Sequence, residues 1–154
     1  MQSSLSAVQS FFGIGSWPTE IVSYELGGRT LQVIPIPGHH AAHVALYDPR
    51  HRLLLTGDTL YPGRLYIQNF SDYKASTQRL ADFVAQNQVE WVLGTHIEMT
   101  TTPGVDFPFG ATQHPNERAL ELLPAHVTEL NQAVQAMGNT PVQEVHDDFI
   151  IYPL

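Results

Sequence analysis

A chain of 154 residues, 43% hydrophobic and 14% charged, is long enough to bury a core and has the composition of an ordinary globular domain. Fifteen acids against seven bases give a formal charge of -8, which repels nucleic acid and anionic lipid and argues against both as partners. There is no cysteine, so disulfides, thiolate ligands and a cysteine nucleophile are excluded, and any metal must be held by nitrogen and oxygen. The opening "MQSSLSAVQSFFGIGSW" lacks a basic n-region with a long apolar core, and no stretch approaches the ~18 apolar residues of a membrane span. The expectation is one soluble, cytoplasmic domain over residues 1–154.

Leu5, Val8, Phe11 and Phe12 recur at roughly helical spacing before the break at Gly13, as at the tail of a helix. "IVSYEL" and "RTLQVIPI" flank Gly27-Gly28 and read as a hairpin. "HVALYD" and "RLLLTGD" flank Pro49-Arg50-His51 and read as a second. The run Leu53-Leu54-Leu55 predicts a strand covered on both faces. Ser71-Asp72 offers a cap for a helix carrying Leu80, Phe83, Val84 and Asn87, and "VEWVLG" reads as a short buried strand. Residues 100–115 have no periodicity and form a loop of the kind that shapes sites. A core-facing stripe runs from Leu120 to Met137, with Pro124 kinking that helix or marking its start. The apolar "DFIIYP" closes the chain as a strand. Strands and helices alternate after the hairpins, so the class is α/β with a mixed sheet covered by helices.

Three apolar strands end in the same way: "VIPIPGH" at His39, "LLLTGD" at Asp58 and "WVLGTH" at His96. Strand ends of α/β sheets converge on the crevice where sites form, and a glycine lets the chain turn a side chain into it. Two imidazoles and a carboxylate suit zinc, iron or manganese, with zinc the leading choice. Three protein ligands with an open position is the layout of a catalytic site, where bound water becomes hydroxide near neutral pH.

At these residues the chain resembles the metallo-β-lactamase superfamily, an αββα sandwich of metallo-hydrolases. "PGHHAAHVALYD", "LLLTGDTLY" and "VLGTHIEMT" are similar to its third, fourth and fifth motifs in order and spacing. The resemblance implies that His39 is a ligand of one metal, that Asp58 bridges two and is the catalytic carboxylate, and that His96 is a ligand of the second. It implies a small-molecule substrate, with metal-bound hydroxide attacking an ester, thioester, amide or lactone. The family's H-x-H-x-D-H motif, however, occurs nowhere in the chain. What is present resembles the C-terminal half, beginning on the helix after that motif. Half a sandwich cannot assemble a two-metal centre alone and leaves a sheet face open to water. The expectation is a truncated, impaired hydrolase that forms a homo-oligomer or takes a complementing N-terminal half. The rival expectation is a non-catalytic oligomerising remnant that binds one metal or none.

Around the three ligands, His40 is read as divergent from His39, and His43 as support for the ligand loop. Thr56 and Thr95 are placed to orient neighbouring ligands, and Glu98 to act as a supporting acid. Tyr61, Arg64 and Tyr66 are expected near the mouth of the site, in substrate contact or in loop packing. His51, His114 and His126 are expected at the surface, and His146 to Asp148 are not expected to form a joint site.

Overall fold

Glycines and short polar turns fold the first third of the chain into a meander. The computed structural model describes residues 4–154, and opens with α1 (Leu5–Phe12), capped by Ser4 and ended by Gly13 in the left-handed conformation. Antiparallel pairing then joins β1 (Val22–Glu25), β2 (Thr30–Pro35), β3 (Val44–Asp48) and β4 (Leu53–Gly57) around the two turns the sequence marks. Next come β5 (Arg64–Ile67) and α2 (Phe70–Gln86), after which β6 (Trp91–Gly94) lies parallel to β4. A helical crossover is what a parallel neighbour requires. β7 (Glu121–Leu122), α3 (Pro124–Ala136), β8 (Glu144–Val145) and β9 (Ile150–Pro153) complete the chain. The strands form a six-stranded mixed sheet in the order β1-β2-β3-β4-β6-β7 and a second, three-stranded sheet in the order β5-β9-β8.

The register explains where the core lies. Tyr47 pairs with Leu54, Leu54 with Val92, and Val92 with Leu122, so these side chains share one face. With Ile34 and Ala45 they are buried against Leu80 and Phe83 of α2, Val127, Leu130 and Val134 of α3, and Leu65, Phe149 and Ile151 beside them. The other face carries the row Leu46, Leu55, Leu93 and Glu121. Near β1 it meets α1, where the rings of Phe11 and Phe12 lie 5.5 and 5.2 Å from that of Tyr24. Farther across, it is open: Leu54 is 0% exposed, whereas Leu55 is 39% and Trp91 40% exposed. The triple-leucine strand is thus covered on one face only, contrary to the sequence expectation, because no element of the described residues lies over Leu55.

Other departures have local causes. Asn69 caps α2, its side chain accepting from the Asp72 amide at 3.0 Å, so the helix starts ahead of Ser71. Pro124 occupies the first turn of α3, where its missing N–H costs nothing, and the segment before it pairs as β7. Leu123 is therefore exposed, and the buried stripe shortens to Val127, Leu130 and Val134. Among the described residues no helix is long and apolar enough to cross a membrane.

Asp48, buried at the end of β3, ties the second turn together. It accepts from Nδ1 of His51 at 2.6 Å, from the Arg50 amide at 3.1 Å and from the Arg29 guanidinium. Burial pushes its carboxyl up, but these donors outweigh burial and hold it down at about 2. His51 is therefore a structural partner, although its side chain is half exposed. Truncation separates the two sheet faces experimentally: Leu54→Ala should cost about 3 kcal/mol and Leu55→Ala about 1 kcal/mol in denaturant unfolding, since only the first leaves a cavity.

Candidate metal centre

β2 runs antiparallel to β3, β3 antiparallel to β4, and β4 parallel to β6. The C-terminal ends of β2, β4 and β6 therefore lie along one edge, where ligands of open α/β sheets bind. The turn after β2 carries His39, Asp58 follows β4, and His96 lies two residues beyond β6. Two glycines make the approach possible. Gly57 has φ of 56°, and a Cβ there would lie 2.4 Å from Nε2 of His43; a Cβ on Gly94 would lie 2.3 Å from Cβ of Tyr61. The first position requires the left-handed backbone and the second requires bare backbone.

The structure brings all three expected ligands together. Nε2 of His39 is 3.3 Å from Oδ2 of Asp58, and Nε2 of His96 is 3.1 Å from Oδ1. Each imidazole faces a different oxygen of one carboxylate. His39 is oriented by Nδ1, which lies 2.8 Å from the Tyr66 carbonyl. A carbonyl only accepts, so Nδ1 carries a proton, and Nε2 is the atom that His39 turns toward the carboxylate. Lone pair against anion is repulsive unless a cation, a proton or a metal lies between them. At about 2.1 Å from an ion, two donors separated by this distance subtend roughly 100°, as neighbouring ligands do.

The donor set thus fits divalent metal as two adjacent half-sites sharing Asp58. Each is short of the three or four protein donors of zinc centres. Among the described residues no three His, Cys, Asp or Glu side chains form a group that could hold one ion. A single ion on all three expected ligands is not what this geometry offers.

The surrounding residues divide clearly. The Thr95 hydroxyl donates to Oδ1 of Asp58. Nδ1 of His43 is 3.1 Å from the Thr59 hydroxyl, and burial together with the charge of His39 pushes its ring down to about 4. Nδ1 of His40 accepts from the Ala42 amide at 3.2 Å, which holds the turn. Buried Thr56 donates to the Leu60 carbonyl at 2.7 Å and so braces the loop after Asp58. Tyr61 and Arg64 are only 1% and 5% exposed. Of the two roles expected for them, packing is the one their burial fits. Tyr61 lies with its ring 5.2 Å from that of His96 and donates its hydroxyl to the Arg64 carbonyl. Glu98 accepts from the Arg64 amide at 2.8 Å.

The remaining histidines lie elsewhere. His114 stacks on Phe107 at 4.3 Å. His126 is not a plain surface residue: its Nδ1 accepts from the Leu123 amide at 2.9 Å, and its Nε2 lies 2.9 Å from Asp148. Nδ1 of His146 is 2.7 Å from Glu129, so His146 and Asp148 belong to separate pairs, as the sequence predicts. Sequence reasoning missed the Tyr66 carbonyl as the anchor of His39, because a backbone acceptor leaves no side-chain signature.

A family model described as the metallo-beta-lactamase superfamily matches residues 3–96. The chain belongs to that superfamily. The acyl-coenzyme A thioesterase MBLAC2 of Gallus gallus is 40% identical over 78 residues, covering 48% of this chain and 28% of that protein. The hydroxyacylglutathione hydrolase of Aeromonas hydrophila subsp. hydrophila is 39% identical over 70 residues, covering 44% and 27%. The chain thus matches little more than a quarter of the length of these curated relatives. Among solved structures, a double mutant of the sec-alkyl sulfatase PisA1 superposes with a TM-score of 0.54 at 8% identity, covering 80% of this chain and 18% of that one. That likeness concerns the fold, which is the mixed α/β architecture of the superfamily. A metallo-beta-lactamase from Pontibacter korlensis superposes with a TM-score of 0.49 at 16% identity, covering 75% and 46%.

Burial of His43 has a pH consequence. Its folded value lies below the ordinary 6.5, so the unfolded chain binds more protons between these values. Stability contributed by neutral His43 is complete above pH 6.5 and declines as pH falls toward 4. The imidazole signals of His43 should stay those of a neutral ring through this window in NMR, and His43→Phe should flatten the stability profile there.

Proposed function

We propose that this chain is one part of a metal-dependent hydrolase domain of the metallo-β-lactamase type. In this reading Asp58 is the shared carboxylate, with His39 and His96 each completing a half-site. The observation that carries the reading is the placement of the two Nε2 atoms at 3.3 and 3.1 Å from opposite oxygens of Asp58. Zinc is the leading ion for imidazole and carboxylate donors, with iron and manganese as rivals. A bound ion would supply Lewis acidity and a lowered water pKa.

The chain's own residues hold and orient. The Tyr66 carbonyl fixes the tautomer of His39. Thr95 occupies one lone pair of Asp58 and so limits how that carboxylate can rotate. Neutral His43 fills the space beneath Gly57 without adding charge. Two protein donors per ion leave each half-site dependent on ligands from outside these residues, given by a further segment or another copy. The substrate class is a carbonyl compound among esters, thioesters, amides and lactones. Thioesters lead, because one relative is named a thioesterase. The whole of 1–154 is taken as one partial domain acting on a small molecule in the cytoplasm.

A second reading is a non-catalytic fold that associates through the open sheet face. It is favoured by the exposure of Leu55 and Trp91, since apolar patches of this kind mark association surfaces.

Zinc titration of the purified chain by calorimetry separates these readings. The first predicts weak binding that Asp58→Ala abolishes, while His39→Ala and His96→Ala each remove one half-site and reduce apparent affinity by about tenfold or more. Zinc uptake unchanged by Asp58→Ala would leave only the association reading.

A further inference from the structure

The loops that carry Asp58 and His96 are joined to one another by backbone hydrogen bonds and by a buried arginine with a half-buried glutamate. Beyond Asp58 the chain passes through Tyr61, Pro62 and Gly63 into Arg64 at the start of β5; beyond His96 it reaches Glu98. The Pro62 carbonyl accepts from the amides of Glu98 at 2.6 Å and Met99 at 3.2 Å. In return Glu98 accepts from the Arg64 amide at 2.8 Å through one carboxylate oxygen, and its other oxygen lies 3.7 Å from the Arg64 guanidinium.

The guanidinium also gathers the segment that follows. It pairs with Asp106 at 2.6 Å, donates to the Phe107 carbonyl and lies 4.0 Å from the centre of the Phe109 ring. The Phe107 amide closes the circuit by donating to the Glu98 carbonyl at 2.8 Å. The contacts leave no room for slack, since a Cβ on Gly63 would lie 2.8 Å from the Glu98 carboxylate.

An arginine buried this deeply, with its donors directed at several acceptors, acts as a rigid fork rather than as a surface charge. Its binding capacity is spent on its own chain, so it is poorly placed to receive a substrate carboxylate. We propose that Arg64 and Glu98 are a positioning pair that fixes the separation of Asp58 and His96 and thereby sets the metal affinity of that half-site. The inference rests on the reading of Asp58 and His96 as metal ligands. His39 is held by the Tyr66 carbonyl on β5, a strand that β9 also secures along its length, so the larger effect falls on His96.

The test uses the full chain with the His39 and His96 imidazole signals followed by NMR during zinc titration. Arg64→Lys keeps the charge but removes the fork; Glu98→Ala removes the acceptor. Each variant should weaken the His96 response by about tenfold while the His39 response changes far less. Equal weakening at both imidazoles, as from general loosening, would overturn it, as would an unchanged His96 response. Absence of any zinc response in the unaltered chain would overturn the metal reading instead. The positioning claim is then decided in the metal-free chain by backbone order parameters at residues 95–99. These should fall from about 0.85 toward about 0.6 in Glu98→Ala, and values equal to those of the unaltered chain would refute the pair.

Discussion

The carboxylate of Asp58 meets two imidazoles, one at each of its oxygens, and the surrounding structure is arranged to keep it there. A carboxylate and an imidazole nitrogen this close need a proton or a cation between them, and the fold holds the three groups together by means that do not depend on one another. Parallel alignment of β4 with β6 brings Asp58 and His96 to the same edge. The Tyr66 carbonyl turns His39 inward, and Thr95 pins the carboxylate. Backbone without side chains at Gly57 and Gly94 lets the strands end this close together. In the proposed reading, a site assembled from separate elements and held in place by them is preorganised for a cation.

The same sheet shows why this arrangement is incomplete. One face is sealed by α2, α3 and the small second sheet, and its residues reach full burial. The other face is covered by α1 only near β1, and leaves Leu55 and Trp91 in contact with water. An open cleft lined by Val44, Leu46, Leu55, Leu93 and Thr95 lies on this face, so the apolar surface runs up to the residue that holds Asp58. In the proposed reading, whatever covers Leu55 would also approach the edge that carries Asp58, which would link the open face to the further ligands each half-site needs.

Much of this was legible in the sequence because it depends on local rules. Glycine pairs and polar turns located both hairpins, and a glycine before or near each of three strand ends located His39, Asp58 and His96. The misreadings concern what lies across space. Leu53 to Leu55 look doubly covered because an apolar run records what a strand prefers to touch, not what reaches it. For Arg64 the sequence leaves substrate contact and packing equally open, because a charged side chain near a site is ordinarily solvated; its burial against Asp106, Glu98 and a backbone carbonyl favours packing. His126 reads as a surface residue because its partner, the Leu123 amide, is visible only once the chain has turned; His51 is exposed as expected, but its pairing with Asp48 is equally invisible in the sequence. The strand β5 was hidden by its proline and glycine neighbours, and its pairing with β9, far away in sequence, is what makes it a strand.

The central claim is that Asp58 joins two half-sites rather than completing one. Crystals soaked in zinc and measured at the zinc absorption edge test it most directly through the positions of anomalous peaks. The account predicts partial peaks on both sides of the carboxylate, each about 2 Å from one Asp58 oxygen and from one Nε2 atom, that of His39 or that of His96. A single full peak ligated by His39, Asp58 and His96 together would contradict it.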